Sequence, residues 1–289
     1  MKLTADWTAS LHDFRSRELE GVFGACPPQS FRCALELGAG DGFQSRHLAT
    51  WCRRLVSTDL DGARLAEGGA ALRCVADAER VGESFAPGAF DLVWSSNLLE
   101  HLPDLPRALR GQLEALAPGG LAVHVVPSRF WKLCHVLLHF PGRVVRALEW
   151  ATGTRPPRRG AARNNPRTAR RRRPFLLRQL LPEPHGVSRS NTAEFLAFGR
   201  RRWEAAFRTH GFTVLEVRRG PAASPYGFGL PWLRRAAELL GLASEHVYFL
   251  CRAGEESDEV QRRSLRIGSP PRRGMSRALA ASAARKASA

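Results

Sequence analysis

Apolar residues Trp7, Leu11, Phe14, Leu19, Val22 and Phe23 recur at roughly helical spacing among charges, which predicts a helix over residues 4–25. From residue 33 the pattern changes. Short apolar runs at Cys33–Leu37, Leu55–Thr58, Arg73–Ala76, Phe90–Ser95 and Leu121–Val126 alternate with helical stretches at 43–52, 62–72 and 104–116. Apolar runs separated by helices predict a parallel sheet covered on both faces, with right-handed crossovers. Ala117-Pro118-Gly119-Gly120 reads as a helix stop feeding the last run. Regular structure resumes with a helix at 192–210, for which Asn191 or Thr192 is the expected cap. A strand Phe212–Arg218, a helix at 231–241 and a strand His246–Arg252 follow, and no internal repeat is found. The expected fold class is α/β: a doubly wound, mostly parallel sheet.

Residues 128–185 break this rhythm. Phe130–Trp150 is apolar and aromatic but is cut by Pro141, and an Arg, Pro and Gly stretch without periodicity follows. The pattern divides the chain into an N-terminal helical lid (1–29), a ligand-binding core (30–127), an insertion (128–189), a C-terminal part of the same fold (190–253) and a disordered basic tail (254–289).

Charge changes the picture less than its total suggests. The chain of 289 residues carries a formal net charge of +17, which first brings a nucleic acid or an anionic membrane to mind. Residues 151–182 hold ten Arg and no acid, and residues 254–289 hold eight Lys/Arg against four acids. The remainder is nearly balanced. The six cysteines (Cys26, Cys33, Cys52, Cys74, Cys134, Cys251) include no C-x-x-C pair and join no histidine cluster at metal spacing. That argues for a reducing compartment and against a zinc site, so no metal is expected. The first residues show no apolar signal core, and no stretch of 18 uninterrupted apolar residues exists. A cytoplasmic location is expected, with peripheral contact at the inner membrane surface as its variant.

The most informative stretch is Ala34-Leu35-Glu36-Leu37-Gly38-Ala39-Gly40-Asp41-Gly42. An apolar strand running into glycines and then a helix brings backbone close to a nucleotide-like ligand at a strand's carboxyl end. A dinucleotide site wants G-x-G-x-x-G. Its third glycine is replaced by Phe43 or Ser45, depending on the register. The pattern is Glu-x-Gly-x-Gly-x-Gly, which suits a small amino-acid moiety crossing the turn. Asp59 ends the second run, 19 residues after Gly40, where an acid can accept hydrogen bonds from both ribose hydroxyls. Asp61, close by, is the better candidate for a simple helix cap. Asp77 ends the third run in the same way and could accept from an adenine amino group.

Leu35–Gly42, Asp59, Asp77 and Phe90-Asp91-Leu92-Val93-Trp94-Ser95-Ser96-Asn97-Leu98-Leu99-Glu100-His101-Leu102 together resemble the class I S-adenosylmethionine-dependent methyltransferases. The likeness is to the branch of ubiquinone/menaquinone-type and small-molecule enzymes. With the final pair Phe212–Arg218 and His246–Arg252, it implies a Rossmann-like, doubly wound seven-stranded sheet, mostly parallel with one antiparallel strand. It covers roughly 30–126 well and 190–252 moderately, and nothing in it accounts for 130–182 or the tail. The resemblance implies S-adenosyl-L-methionine as cofactor, with Glu36, Gly38 and Gly40 at the methionine moiety and Asp59 at the ribose. Asp77 and the backbone of Ala78 would hold the adenine, and Asn97 would border the methyl-transfer site. It implies O- or C-methylation ahead of N-methylation. The cofactor carries the hard chemistry, so the protein must align the acceptor and exclude water.

Two histidines could act as base where the acceptor carries a proton. His101 lies a short turn beyond the fourth run, and His185 precedes the helix that leads to the sixth. His124, His135, His139, His210 and His246 read as structural. The apolar segment from Phe130, with Trp at both ends and Arg on one face, fits either a lid helix or a helix in a membrane interface, with the Arg run meeting lipid head groups. A small-molecule or lipid-linked substrate is expected, with membrane contact through 130–173. A nucleic-acid partner is disfavoured, because 151–174 has no interleaved aromatics. A catalytically inactive binding module and an RNA methyltransferase are the alternatives. The pattern sets no oligomeric state.

Overall fold

The computed structural model describes residues 7–66, 72–152, 180–223, 231–258 and 260. Seven strands form one sheet: β1 Phe31–Leu37, β2 Cys52–Asp59, β3 Leu72–Val75, β4 Phe90–Ser96, β5 Leu116–Pro127, β6 Phe212–Arg219 and β7 Glu245–Arg252. Their order is β3-β2-β1-β4-β5-β7-β6. β1 to β5 pair in parallel, and β7 runs antiparallel to both β5 and β6. Among the described residues β7 is the one antiparallel strand, as the resemblance implied. The carboxyl ends of the five parallel strands share one edge of the sheet. The order reverses between β1 and β4, the switch point at which such sheets hold ligands.

The helices are α1 Trp7–Phe23, α2 Phe43–Leu48, α3 Gly62–Ala66, α4 Val81–Ser84, α5 Leu105–Ala115, α6 Arg129–Leu137, α7 His139–Ala151, α8 Asn191–Ala197, α9 Arg200–Thr209 and α10 Pro231–Leu239. Strand alternation sorts the core into two layers. Leu92, Trp94, Val123, Val125 and Phe249 face Leu19, Val22 and Phe23 of α1. Val93, Ala122, Val126, Tyr248 and Leu250 face Ala108 and Leu109 of α5 and Trp203 and Phe207 of α9. All of these side chains are buried.

Four expectations need correction. The helix expected over 192–210 is two, α8 and α9, parted at Phe198 and Gly199. Its cap is Ser190, neither Asn191 nor Thr192. The Ser190 hydroxyl accepts from Ala193 N–H at 3.1 Å, while Asn191 turns its amide to Lys132 and the Pro182 carbonyl. Residues 117–120 are no clean stop. They lie within β5 as an irregularity, where the pairing slips between Phe90↔Leu116 and Leu92↔Leu121. The expected tail begins too early, at 254. Glu255 accepts from Gly119 N–H at 2.8 Å, and Val260 is 5% exposed against the α1 layer.

The apolar stretch after β5 forms α6 and α7, joined at Leu138. Pro141 sits in the first turn of α7, where a missing N–H costs no hydrogen bond. Most of the Arg run and residues 261–289 lie outside the described residues. No helix among the described residues is long and apolar enough to cross a membrane.

Candidate active site

The glycine turn at the end of β1 is pinned by its neighbour. Gly38 and Gly40 both take left-handed φ, +71° and +59°. Ala39 N–H donates to the Thr58 carbonyl at 2.9 Å, and Gly40 N–H donates to Asp59 Oδ2 at 2.8 Å. The other oxygen of Asp59 accepts from Asp61 N–H at 2.9 Å. Asp61 caps α3, accepting from Ala63 and Arg64 N–H. Asp59 is only half-buried, so its remaining lone pairs can meet a ligand. At the end of β3, Asp77 accepts from Glu79 N–H at 3.0 Å and caps the short 3-10 turn that Ala78 begins.

Glu36, which the resemblance places at the methionine moiety, also has a bracing role within the fold. Its carboxylate is enclosed, accepting from Ser45 Oγ at 2.5 Å and Ser57 Oγ at 2.7 Å. It is 2% exposed, and burial pushes the carboxyl up from its ordinary range. Glu36 therefore braces the turn by joining β1 to α2 and β2.

A model of the methyltransferase domain family matches residues 35–124, which run from this turn to the middle of β5. That segment of the chain is similar to the methyltransferase domain family. A trans-aconitate 2-methyltransferase of Deinococcus radiodurans is 32% identical over 128 residues, 44% of this chain and 50% of that protein. The chain thus spans about half the length of the relative it matches. A chain in the complex between the Trm112 methyltransferase activator of Haloferax volcanii and a methyltransferase shares the fold, with a TM-score of 0.51 at 13% identity over 84% of this chain and 92% of that one. A methyltransferase of Mesorhizobium loti aligns with a TM-score of 0.46 at 20% identity, over 85% of this chain and 97% of that one.

The glycine turn leaves room for a ligand beside its backbone only because both Gly38 and Gly40 lack a side chain. A Cβ at Gly38 would stand 3.0 Å from Leu98 Cδ1, and one at Gly40 would stand 3.0 Å from the Arg64 guanidinium. Side chains at these two positions would crowd Leu98 and Arg64 at a backbone φ that glycine tolerates best. The turn, Asp59 and Asp77 then stand in order along the carboxyl edge of β1, β2 and β3.

Beyond β4 the fold gathers polar groups that sequence reasoning missed. Arg15 of α1 donates to Glu18 Oε2 at 2.5 Å, Ser96 Oγ at 2.6 Å and Glu245 Oε1 at 3.2 Å. Asn97, with φ +49°, donates to the same Glu245 oxygen at 2.5 Å. Gln44 of α2 donates to Glu18 at 2.8 Å. This network ties the N-terminal helix to the ends of β4 and β7. Burial pushes the Glu245 carboxyl up, Glu18 adds to the rise, and Arg15 opposes it. The only signal in the sequence was a charged residue amid the apolar positions of α1.

The two candidate histidines meet. His101 ends the short 3-10 turn Leu99–His101, and its Nε2 lies 3.1 Å from Nε2 of His185. Gly186, at φ +67°, makes this possible, because a Cβ there would collide with the Glu100 carbonyl oxygen. Val187 N–H donates to that same carbonyl at 3.1 Å. The Trp131 ring of α6 packs on His185 at 4.9 Å between centroids. Glu100, between strand end and histidine, is buried, and desolvation pushes its carboxyl up to about 8.

Proposed function

We propose that this chain is an S-adenosylmethionine-dependent methyltransferase that methylates an oxygen or carbon of a small-molecule acceptor in the cytoplasm. The observation that carries the proposal is the bond from Gly40 to Asp59, which presents a glycine turn and an acid together at the switch point of the sheet. The glycines admit the amino-acid end of the cofactor, Asp59 accepts from the ribose hydroxyls, and Asp77 with the Ala78 backbone takes the adenine. When bound, the cofactor supplies an electrophilic methyl on its sulfonium. Asn97 and the Arg15 network border that position from β4. His101 and His185 stand beyond it, able to take a proton from an acceptor hydroxyl, while Trp131 walls the site from the α6 side.

The Deinococcus relative is named for a small-molecule acceptor, which supports that class here. A finer reading, that the acceptor is lipid-linked or the protein rests on a membrane, draws on one feature. Leu133, Leu137, Phe140, Val144 and Leu148 form an exposed apolar stripe along α6 and α7. Their spacing places Leu133 and Leu137 on one face of α6, and Phe140, Val144 and Leu148 on one face of α7.

Calorimetry with S-adenosylmethionine, S-adenosylhomocysteine and NAD tests the cofactor. Labelled methyl transfer into a small-molecule extract, a lipid extract and RNA tests the acceptor. Binding of both sulfur ligands and labelling of the small-molecule fraction are expected. Cofactor binding without any transfer would favour an inactive binding module, and labelled RNA would overturn the acceptor class.

A further inference from the structure

We propose that Glu100, His101 and His185 hold one divalent first-row transition cation, zinc or an ion of similar ligand preference, with positions left open for oxygen. The site itself stands apart from the methyltransferase reading. Only its use, coordinating an oxygen of the acceptor, rests on that reading. With the ion bound, this coordination takes the place of proton uptake by the two imidazoles, whose Nε2 atoms are then engaged.

One ligand atom from each of the three residues lies within 4.8 Å of the others. Zinc–nitrogen bonds of about 2.0–2.1 Å put two imidazole ligands of one ion about 2.9–3.4 Å apart at tetrahedral to octahedral angles. The observed Nε2–Nε2 separation is 3.1 Å. Glu100 Oε1 lies 3.8 Å from His101 Nε2, within reach of the same ion at a wider angle.

The carboxylate makes the stronger case. The Glu100 side chain is 2% exposed, and neither oxygen accepts a hydrogen bond from another residue. A buried carboxylate without donors is costly unless a cation or proton compensates it. A hydrogen bond shared between the two imidazoles would explain their own distance and would leave Glu100 unserved. A cation serves all three groups.

The surroundings are built to hold this arrangement. Gly186 and the Val187 N–H bond clamp the His185 loop against the Glu100 carbonyl. Trp131 packs against the His185 ring. The His101 side chain is 41% exposed, so one side of the cluster opens outward. Three protein ligands with open positions are the pattern of a catalytic ion. Two imidazoles and one carboxylate suit zinc, iron, cobalt or nickel ahead of magnesium or calcium, which take oxygen ligands. His101 and His185 lie 84 residues apart, which is why no metal spacing shows in the chain.

The test uses the full chain, stripped with a chelator and dialysed, with its thermal melt and S-adenosylhomocysteine affinity recorded in parallel. Zinc is titrated by calorimetry and cobalt by visible absorption. The expected result is one ion per chain, with affinity falling at least about tenfold in both His101→Gln and His185→Gln. His210→Gln, whose ring bonds the Ala206 carbonyl, should leave it unchanged. Should one variant fail to melt cooperatively, the other reads the same ligand set. Absence of a saturable site, or affinity unchanged in both folded variants, would overturn the proposal. A histidine-dependent site in a protein that binds no S-adenosylhomocysteine would keep the metal site and remove the methyltransferase reading.

Discussion

Asp59 Oδ2 accepts the Gly40 N–H at 2.8 Å, so one carboxylate shapes the glycine turn and, in the proposed function, also receives the ribose. Asp59→Ala should therefore act twice. Loss of charge-assisted bonds to a ligand weakens S-adenosylhomocysteine binding about 10–100-fold, and loss of the bonds to Gly40 and Asp61 costs about 1–3 kcal/mol of stability. Calorimetry and urea unfolding read the two effects separately. An unchanged dissociation constant would take Asp59 out of the ribose role.

Gly186→Ala should disrupt the His101–His185 pair. The substitution forces a Cβ onto the Glu100 carbonyl at a left-handed φ, whereas Gly254, at φ +88°, has nothing within 4 Å. Gly254→Ala should cost only the backbone strain, about 1–2 kcal/mol. Gly186→Ala should cost more and also slow methyl transfer. Equal stability of the two variants, with activity intact, would show that the loop is not clamped.

His124 should make stability fall in acid. It is wholly buried, its Nδ1 lies 2.8 Å from Ser95 Oγ, and desolvation pushes its pKa down to about 3. The folded state therefore holds it neutral while the unfolded chain takes up a proton near its ordinary value of about 6.5. Stability is complete above that value and is lost as pH falls toward 3, at up to about 1.4 kcal/mol per pH unit for this group. His135 and His246, pushed down to about 3 and about 4 by burial, act in the same direction. Urea unfolding between pH 7 and 4 should show a shallower slope in His124→Asn, by about one proton. An identical slope would refute this account.

Lys132 and Glu194 form an ion pair at 1% and 0% side-chain exposure, joining α6 to α8. Lys132→Met should destabilise by about 3–5 kcal/mol, because it strands a buried carboxylate. Adding Glu194→Gln should recover much of that loss. A double variant as unstable as the single one would mean that packing, not the stranded charge, sets the cost.

Val260→Ala should destabilise by about 1–3 kcal/mol, since the side chain is 5% exposed in the α1 layer. Its charged and small neighbours made it read as tail. A change below about 0.5 kcal/mol would return residue 260 to the surface.

The sequence by itself determined the layered fold. Leu35, Leu92, Val93 and Val123 sit in apolar runs because a parallel strand is buried on both faces, and that leaves a signal that needs no distant partner. The glycines after Glu36 and the strand-end acids Asp59 and Asp77 were legible for the same reason, since each is fixed by local backbone geometry. Element ends were less legible: Ser190 caps the helix while the Asn191 amide is engaged by Lys132, 59 residues away, and by the Pro182 carbonyl. Tertiary structure alone decided that Glu36 braces the turn through Ser45 and Ser57, that Arg15 reaches Ser96 and Glu245, and that His185 meets His101. The physical reason is common to all three. Hydrogen bonds and ligand sets depend on positions in space, which separate stretches of chain acquire only when burial of the sheet brings their ends to one edge.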